Sequence, residues 1–375
     1  MIAKTRSVVS VTEGVLDVAF ELGKKQWKLA MTSGFGVAPV LQTVPSGDWA
    51  AVERAWRVGR QRLGLPATSR IVSCYEAGRE GFWIHRALVA RAVDNRVVDS
   101  SSIEVNRRAR RAKTDRIDAL KLVTMLVRVC LGEPQVWREV RVPSFEVEAA
   151  RHVSRERQAL TAERTRLINQ LRSWLATLGT VLPRRQPEGW WETVRDWAGV
   201  ALPATVQARL ARASQRIALL TEHLAALDLQ QAAVIQAAPA ESAAQRLVQL
   251  KGIAVTSASI LLAEGLTWRQ FENRRQIGGL LGFAPTPHAS GDTTREQGIS
   301  RAGNDRLQSV MVQLAWSWVH WQKTSALTQW YQARFGTGAR ARKVGIVALA
   351  RKLLIALWRW ATQGILPAGA VLKTT

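Results

Sequence analysis

The sequence predicts an α/β domain followed by a wholly helical one, with a pair of long helices between them. Three patterns carry that reading. In the first third, short apolar or alternating runs are separated by amphipathic stretches, as strands interleaved with helices require. Apolar residues then recur at steps of four and three, the spacing of a helix–helix seam. From about residue 241 the chain is helical again, interrupted at glycines.

The elements follow in order. VLDVAF and WKLAM, within residues 8–31, read as two strands flanking ELGKK, where Gly23 suits a tight turn. A helix over roughly Trp49 to Leu63 precedes a third strand, Arg70 to Tyr75, which ends at Glu76-Ala77-Gly78. A helix around 80–91 leads to a short strand, Arg96 to Asp99, and another helix starts near Thr114. The seam is clearest at Val206, Leu210, Ala213, Ile217, Leu220, Leu224 and Leu227, with a looser one from Val153 to Leu178. Two long helices therefore form a coiled-coil pair, either as a hairpin within one chain or between subunits. The last part breaks at Lys251-Gly252-Ile253, in a loop from Gly282 to Gly303, and at Gly336 to Gly338. The expected domains are 1–137, 138–240 and 241–375.

Charge points to the partner. Lys and Arg number 53 against 29 Asp and Glu, a formal net charge of +24. Such a surplus self-repels unless a polyanion neutralises it, and nucleic acid is the usual one. The surplus is concentrated: residues 301–375 hold eleven bases and one acid, Asp305, and residues 107–116 hold six bases and one acid. The expected nucleic-acid contacts are Arg107, Arg108, Arg110, Arg111, Lys113, Lys251, Arg301 and Lys343. Two cysteines without short metal-type spacing exclude a disulfide scaffold and fit a reducing cytoplasm. No secretory signal and no membrane span is visible.

Four carboxylates stand out. Asp17 lies in the first strand, Glu76 at the end of the later one, and Asp115 and Asp118 share a helix face three residues apart. Two hard divalent ions need carboxylate oxygens converging from rigid elements, which these could supply. Taken singly, Asp115 reads rather as an N-cap and Asp17 as an edge-strand surface charge; taken together, with bases around the Asp pair, the four read better as metal ligands. A second group is Pro287-His288-Ala289-Ser290-Gly291, ahead of GISRAGN. Ser290 beside glycine, with arginine following, can attack a phosphodiester, or can simply close a turn. His288 is a general base or a surface residue. Lys251-Gly252-Ile253 joins two helices in a turn that could offer backbone N–H groups to a phosphate. Of sixteen tryptophans, Trp316, Trp318, Trp321 and Trp330 sit among bases and suit either base stacking or core packing.

These motifs resemble the DEDD insertion-sequence transposases, the bridge-RNA-guided recombinases, over nearly the whole chain. VLDVAF, CYEAG and KTDRIDA resemble the Holliday-junction-resolvase branch of the RNase H-like fold. LKGIAVTSASILLAEG, IGGLLGFAPTPHASG, GISRAGNDRL and KVGIVALARKLLIALW resemble the family's transposase domain. The first motif departs from the pattern, reading VLDVAF rather than GIDV. The resemblance implies Ser290 as nucleophile, Asp17, Glu76, Asp115 and Asp118 on two Mg²⁺ ions, and a tetramer. It also implies a structured guide RNA that pairs with donor and target DNA. The rival readings are a metal-dependent junction nuclease using water and a non-catalytic nucleic-acid scaffold.

Overall fold

The computed structural model describes residues 14–103, 114–266, 268–283, 285–290, 293–299 and 303–374, with 285–290 and 293–298 described by backbone alone. The chain divides into two compact units, Met1–Val142 and Pro143–Thr375. The expected break at 240/241 has no counterpart, because the long helices pack on the helices that follow them. The first boundary falls at 142 rather than 137, since Val140 and Val142 pack into the first unit's core.

The first unit holds β1 (Leu16–Leu22), β2 (Gln26–Thr32), β3 (Val40–Pro45), α1 (Trp49–Arg62), β4 (Ile71–Glu76), α2 (Trp83–Val89), β5 (Asp94–Val98) and α3 (Asp115–Cys130). Its sheet has the order β3-β2-β1-β4-β5. β1 pairs antiparallel with β2 and parallel with β4, which pairs parallel with β5. Strand β3 is missed in the sequence: VLQTVP is an edge strand in which Val44 alone is buried and the rest are half-buried or exposed, so it lacks a strong apolar pattern.

Strict alternation along β1 divides the sheet's faces. Leu16, Val18 and Phe20 join a core with α1 and α2, where Trp27, Ile84 and Leu88 are buried. Ala19, with Val72 and Cys74 of β4, faces the other way and is covered by Ala119, Leu122, Val123 and Leu126 of α3. Asp17, Ala19 and Glu21 therefore share the α3 face, as do Val72, Cys74 and Glu76.

The second unit begins with α4 (Phe145–Thr177), a short turn α5 (Trp190–Thr193) and α6 (Ala204–Gln236). Arg157 pairs with Asp228 and Arg216 with Glu163, so α4 and α6 run antiparallel as a hairpin within one chain. Leu210, Ala213, Leu220 and Leu224 of the seam are buried. There follow α7 (Ala243–Gln249), α8 (Val255–Leu261), a π-turn at Leu262–Leu266, α9 (Arg274–Leu280), β6 (Pro285–Ser290), β7 (Thr293–Ile299), α10 (Asp305–Trp321), α11 (Ala326–Phe335) and α12 (Ala339–Gln363). Their core centres on Leu247, Leu261, Met311, Trp318, Leu349 and Leu353. The stretch expected as a loop from Gly282 to Gly303 instead contains the antiparallel β6–β7 hairpin, with Ser290 opposite Thr293. No described helix is long and apolar enough to cross a membrane.

Candidate functional site

The α3 face of the first sheet carries the acidic residues, and register decides which of them can meet. Asp17 is level with Val72 and Phe20 with Tyr75, so Glu21, the next residue along β1, comes level with Glu76 at the end of β4. Asp17 lies four residues back, roughly 13 Å along the strand.

Helix α3 runs the opposite way across these strands. The Cys74 thiol donates to the Leu122 carbonyl at 3.8 Å, and Cys74 is level with Ala19. At the helix's far end, the Cys130 thiol donates to Asp17 Oδ1 at 3.8 Å. Asp118 is one turn before Leu122, about 6 Å toward the end where Glu21 and Glu76 stand. Twelve residues separate Asp118 from Cys130, about 18 Å of helix. Counted along strand and helix, Glu76, Asp115 and Asp118 fall toward one end of this face and Asp17 toward the other. The structure does not bring Asp17 to the remaining three. Glu21, half-buried and on the same face as Asp17, comes level with Glu76 instead.

Asp17 has a different environment. It is only 5% exposed. Burial drives its pKa up to about 6 from 3.8, against the lowering effects of the Cys130 hydrogen bond and of Arg70 and Arg96. It is a core carboxyl, not the edge-strand surface charge that was the alternative.

Thr114 settles the other alternative. Its Oγ1 accepts the Ile117 N–H at 3.4 Å, so Thr114 caps α3. Asp115 is therefore released from a capping role, and it is exposed while Asp118 is half-buried. Both carboxylates lie in the first turn, where the helix dipole favours negative charge. Among the described residues no three His, Cys, Asp or Glu side chains form a ready-made metal cage. The donor set nonetheless fits a hard cation, being all carboxylate oxygen on two strand ends and a helix start.

In the second unit Ser290 is the last residue of β6. The hairpin's foot is fixed by close backbone packing: a Cβ on Gly303 would sit 2.4 Å from both Leu281 C and Gly282 N. The Asn304 N–H then donates to the Leu280 carbonyl at 2.9 Å. The Asn304 side chain both caps α10 and donates to Glu264 at 3.0 Å.

Glu264, in the π-turn, is fully buried and touches Arg151 at 3.3 Å, Arg155 at 3.2 Å and Arg306 at 3.5 Å. Burial alone would raise its pKa, but hydrogen bonds from Arg155 and Asn304 and the charges of Arg151 and Arg155 hold it below the usual carboxylate range. This residue was not singled out in the sequence, where LLAEG reads as an ordinary helical stretch. A π-turn at a buried ionised group is a common mark of a constrained site.

The Lys251 turn corrects one expectation. The N–H groups of Lys251 and Ile253 donate within the protein, to Val371 and Leu250, so they are not held out for a phosphate. Gly252 is required there for its φ of +91° and for close packing on Trp321. The exposed Lys251 ammonium lies 5.5 Å from the Trp321 ring centre. Trp318 is a core residue, while Trp316 and Trp321 are half exposed. Arg107, Arg108, Arg110, Arg111, Lys113 and Arg301 lie outside the described residues, as do the side chains of His288 and Ser290.

Comparison with known proteins decides the family. Residues 244–331 match the transposase IS116/IS110/IS902 family, and residues 71–179 match a second transposase family, that of the DEDD type of IS110. The protein y4rJ of Sinorhizobium fredii, named as a transposase, is 38% identical, with 98% of this chain and 97% of that protein covered. The chain belongs to the IS110 family of insertion-sequence transposases. The transposase is also similar to that for insertion sequence element IS1111A of Coxiella burnetii, at 24% identity over 86% of this chain and 87% of that protein. One match falls on α3 and the strands β4 and β5, and the other on the helices that flank the β6–β7 hairpin.

Proposed function

We propose that this transposase cuts and rejoins duplex DNA through a phosphoserine intermediate, with Glu21, Glu76, Asp115 and Asp118 as its Mg²⁺ ligands and Ser290 as nucleophile. The observation that carries the carboxylate set is the register of β1 on β4, which puts Glu21 rather than Asp17 level with Glu76. The sheet order, with β1, β2 and β3 joined by two antiparallel hairpins and β4 and β5 then added parallel to β1, supports the RNase H-like reading. When bound, Mg²⁺ supplies positive charge against phosphoryl oxygens.

The reaction balances as two ester exchanges. Ser290 Oγ loses its proton and bonds to phosphorus as one deoxyribose oxygen leaves and takes up a proton. A deoxyribose hydroxyl of the exchanged strand then displaces Ser290 and restores it. Each step trades one phosphate ester for another, so no external energy source is needed. Burial of Glu264 among Arg151, Arg155 and Arg306, with Asn304 hydrogen-bonded to it, supports a rigid base under the serine hairpin. The family resemblance supports a guide RNA and a tetramer, and the +24 charge supports a large bound polyanion.

A nicked suicide substrate tests the chemistry. It should trap protein covalently on labelled DNA, seen as a protease-sensitive band that survives denaturant. Ser290→Ala should lose both band and cleavage, and Glu21→Gln should lose cleavage while still binding DNA. A water-using nuclease would yield free phosphate ends, no adduct, and an active Ser290→Ala variant. Sequencing RNA that co-purifies with the protein tests the guide. RNA unrelated to the DNA flanking the gene would exclude that part.

A further inference from the structure

A cavity of about 790 Å³ opens in the second unit between α9, α12 and the foot of the β6–β7 hairpin. Its apolar wall includes Phe283, Trp330, Val344, Val347 and Ile355. Its charged lining among the described residues is Arg274, Arg275, Lys343, Arg351 and Lys352, with no acid among them. None of these five cations is ion-paired among the described residues. Lys352 Nζ lies 4.6 Å from the Trp330 ring centre, and the ring is braced edge-on by Phe335 at 5.6 Å. Val344 is 60% exposed at the cavity's edge.

We propose that this cavity takes one unpaired nucleotide of a DNA or RNA strand, its base against the Trp330 wall and its phosphates on the five cations. The inference rests on the reading of the protein as a strand-exchanging enzyme, in which base pairs must open. Charge complementarity names a polyanion, and the apolar wall names the part of it that enters. A paired duplex presents phosphates and stacked bases, so it would satisfy the cations and leave the aromatic wall in water. An unstacked base offers a π-face to that wall as well. The volume lies within the range of small-ligand pockets, roughly 300–1,000 Å³, and is much too small for a duplex.

Position adds a constraint. Phe283 and Ile299 line the cavity and bracket the hairpin, whereas Ser290 is at the far end of β6. Six residues of strand span roughly 16–20 Å. The nucleotide held here is therefore not the one attacked but one further along a strand, which the cavity would keep from re-pairing during exchange.

The test measures binding without cleavage, using full-length protein carrying Ser290→Ala in the absence of Mg²⁺. The probe is a 15-nucleotide single strand with a central 2-aminopurine, made as DNA and as RNA, beside a duplex of the same sequence. Stacking on tryptophan should quench the single-strand probe's fluorescence, whichever sugar binds more tightly. Val344→Glu places a carboxylate at the cavity's edge without touching the core. It should weaken single-strand binding tenfold or more and relieve quenching, while duplex affinity changes less than threefold. Trp330→Phe keeps the packing and should relieve quenching in part. Equal loss for single strand and duplex, or unchanged quenching in Val344→Glu, would overturn the proposal. Because no bond is cut, a failed serine mechanism would leave these results intact.

Discussion

Replacing Asp17 by Asn separates a core carboxyl from a metal ligand. Asp17 titrates at about 6 in the fold, against 3.8 for a freely solvated aspartate. A raised carboxyl pKa means that between these values the folded chain holds a proton that the unfolded chain has lost. Stability is therefore complete below pH 3.8 and is lost as pH rises through 6. The shift of about 2.2 pH units corresponds to about 3 kcal/mol, since each unit is worth about 1.36 kcal/mol. Asp17→Asn removes that charge but keeps an oxygen to accept from Cys130. Its new N–H₂ group can cost on the order of 1–3 kcal/mol if left without an acceptor, a cost that does not depend on pH. The clean quantity is thus the change in the Asn effect between pH 4, where the unfolded aspartate is already partly ionised, and pH 8, worth about 2.4 kcal/mol or roughly sixtyfold in opening equilibrium. Hydrogen–deuterium exchange of peptides from β1 and β4, corrected for intrinsic rates, reads it for this unit alone. Asp17→Asn should gain protection relative to wild type on going from pH 4 to pH 8, and it should still cleave DNA. A pH-independent effect would refute the desolvation argument. An inactive Asp17→Asn beside an active Glu21→Gln would return Asp17 to the metal site.

Two further outcomes follow from packing. Glu264→Ala leaves the mostly enclosed Arg151 and Arg306 without their counter-charge, while half-exposed Arg155 turns to water. Losing one partner of such a buried group costs about 3–5 kcal/mol, so the melting temperature of the second unit should fall by roughly 6–20 °C in calorimetry; a change under 2 °C would mean the cluster is not holding this region. Ile217→Asp with Leu220→Asp puts charge into the α4–α6 seam, which closes within one chain. Light scattering should show unchanged mass with a lowered melting temperature, and smaller folded particles would show instead that the seam joins subunits.

Most of the first unit could be read from pattern because its strands are marked by composition and its helices by periodicity. β1, β2, β4 and α3 matched within a residue or two, and α3 began at its capping threonine. The elements that escaped are those whose signal is not local. β3 is an edge strand in contact mainly with β2, so few of its residues had to be apolar. β6 and β7 form a two-stranded sheet of PTPHAS and TTREQGI, rich in proline, threonine and charge, and such residues read as loop when partners are unknown. Glu264 gave no signal because its meaning lies in arginines 109 and 113 residues earlier and in Asn304 40 residues later.

The carboxylate set shows how far spacing alone can reach. Asp17, Ala19 and Glu21 occupy the same face of one strand, so alternation treats both acids alike. Choosing between them needs the offset of β1 against β4, and a parallel pair separated by a crossover has no turn whose geometry announces its register. The resemblance of VLDVAF to the family's first motif pointed to Asp17, and it carries no information on that offset. Burial is the better discriminator in the opposite sense here. An acid that must hold a hard cation needs its oxygens open to the ligand and to other carboxylates. Asp17 is enclosed on its face by Cys130 and the α3 C-terminus, whereas Glu21 is half-buried at a strand end, where Glu76, Asp115 and Asp118 are also left open to solvent in part. The acid most deeply embedded in the sheet is thus the one least able to serve the site, and mutating Glu21 is the experiment that the strand register calls for.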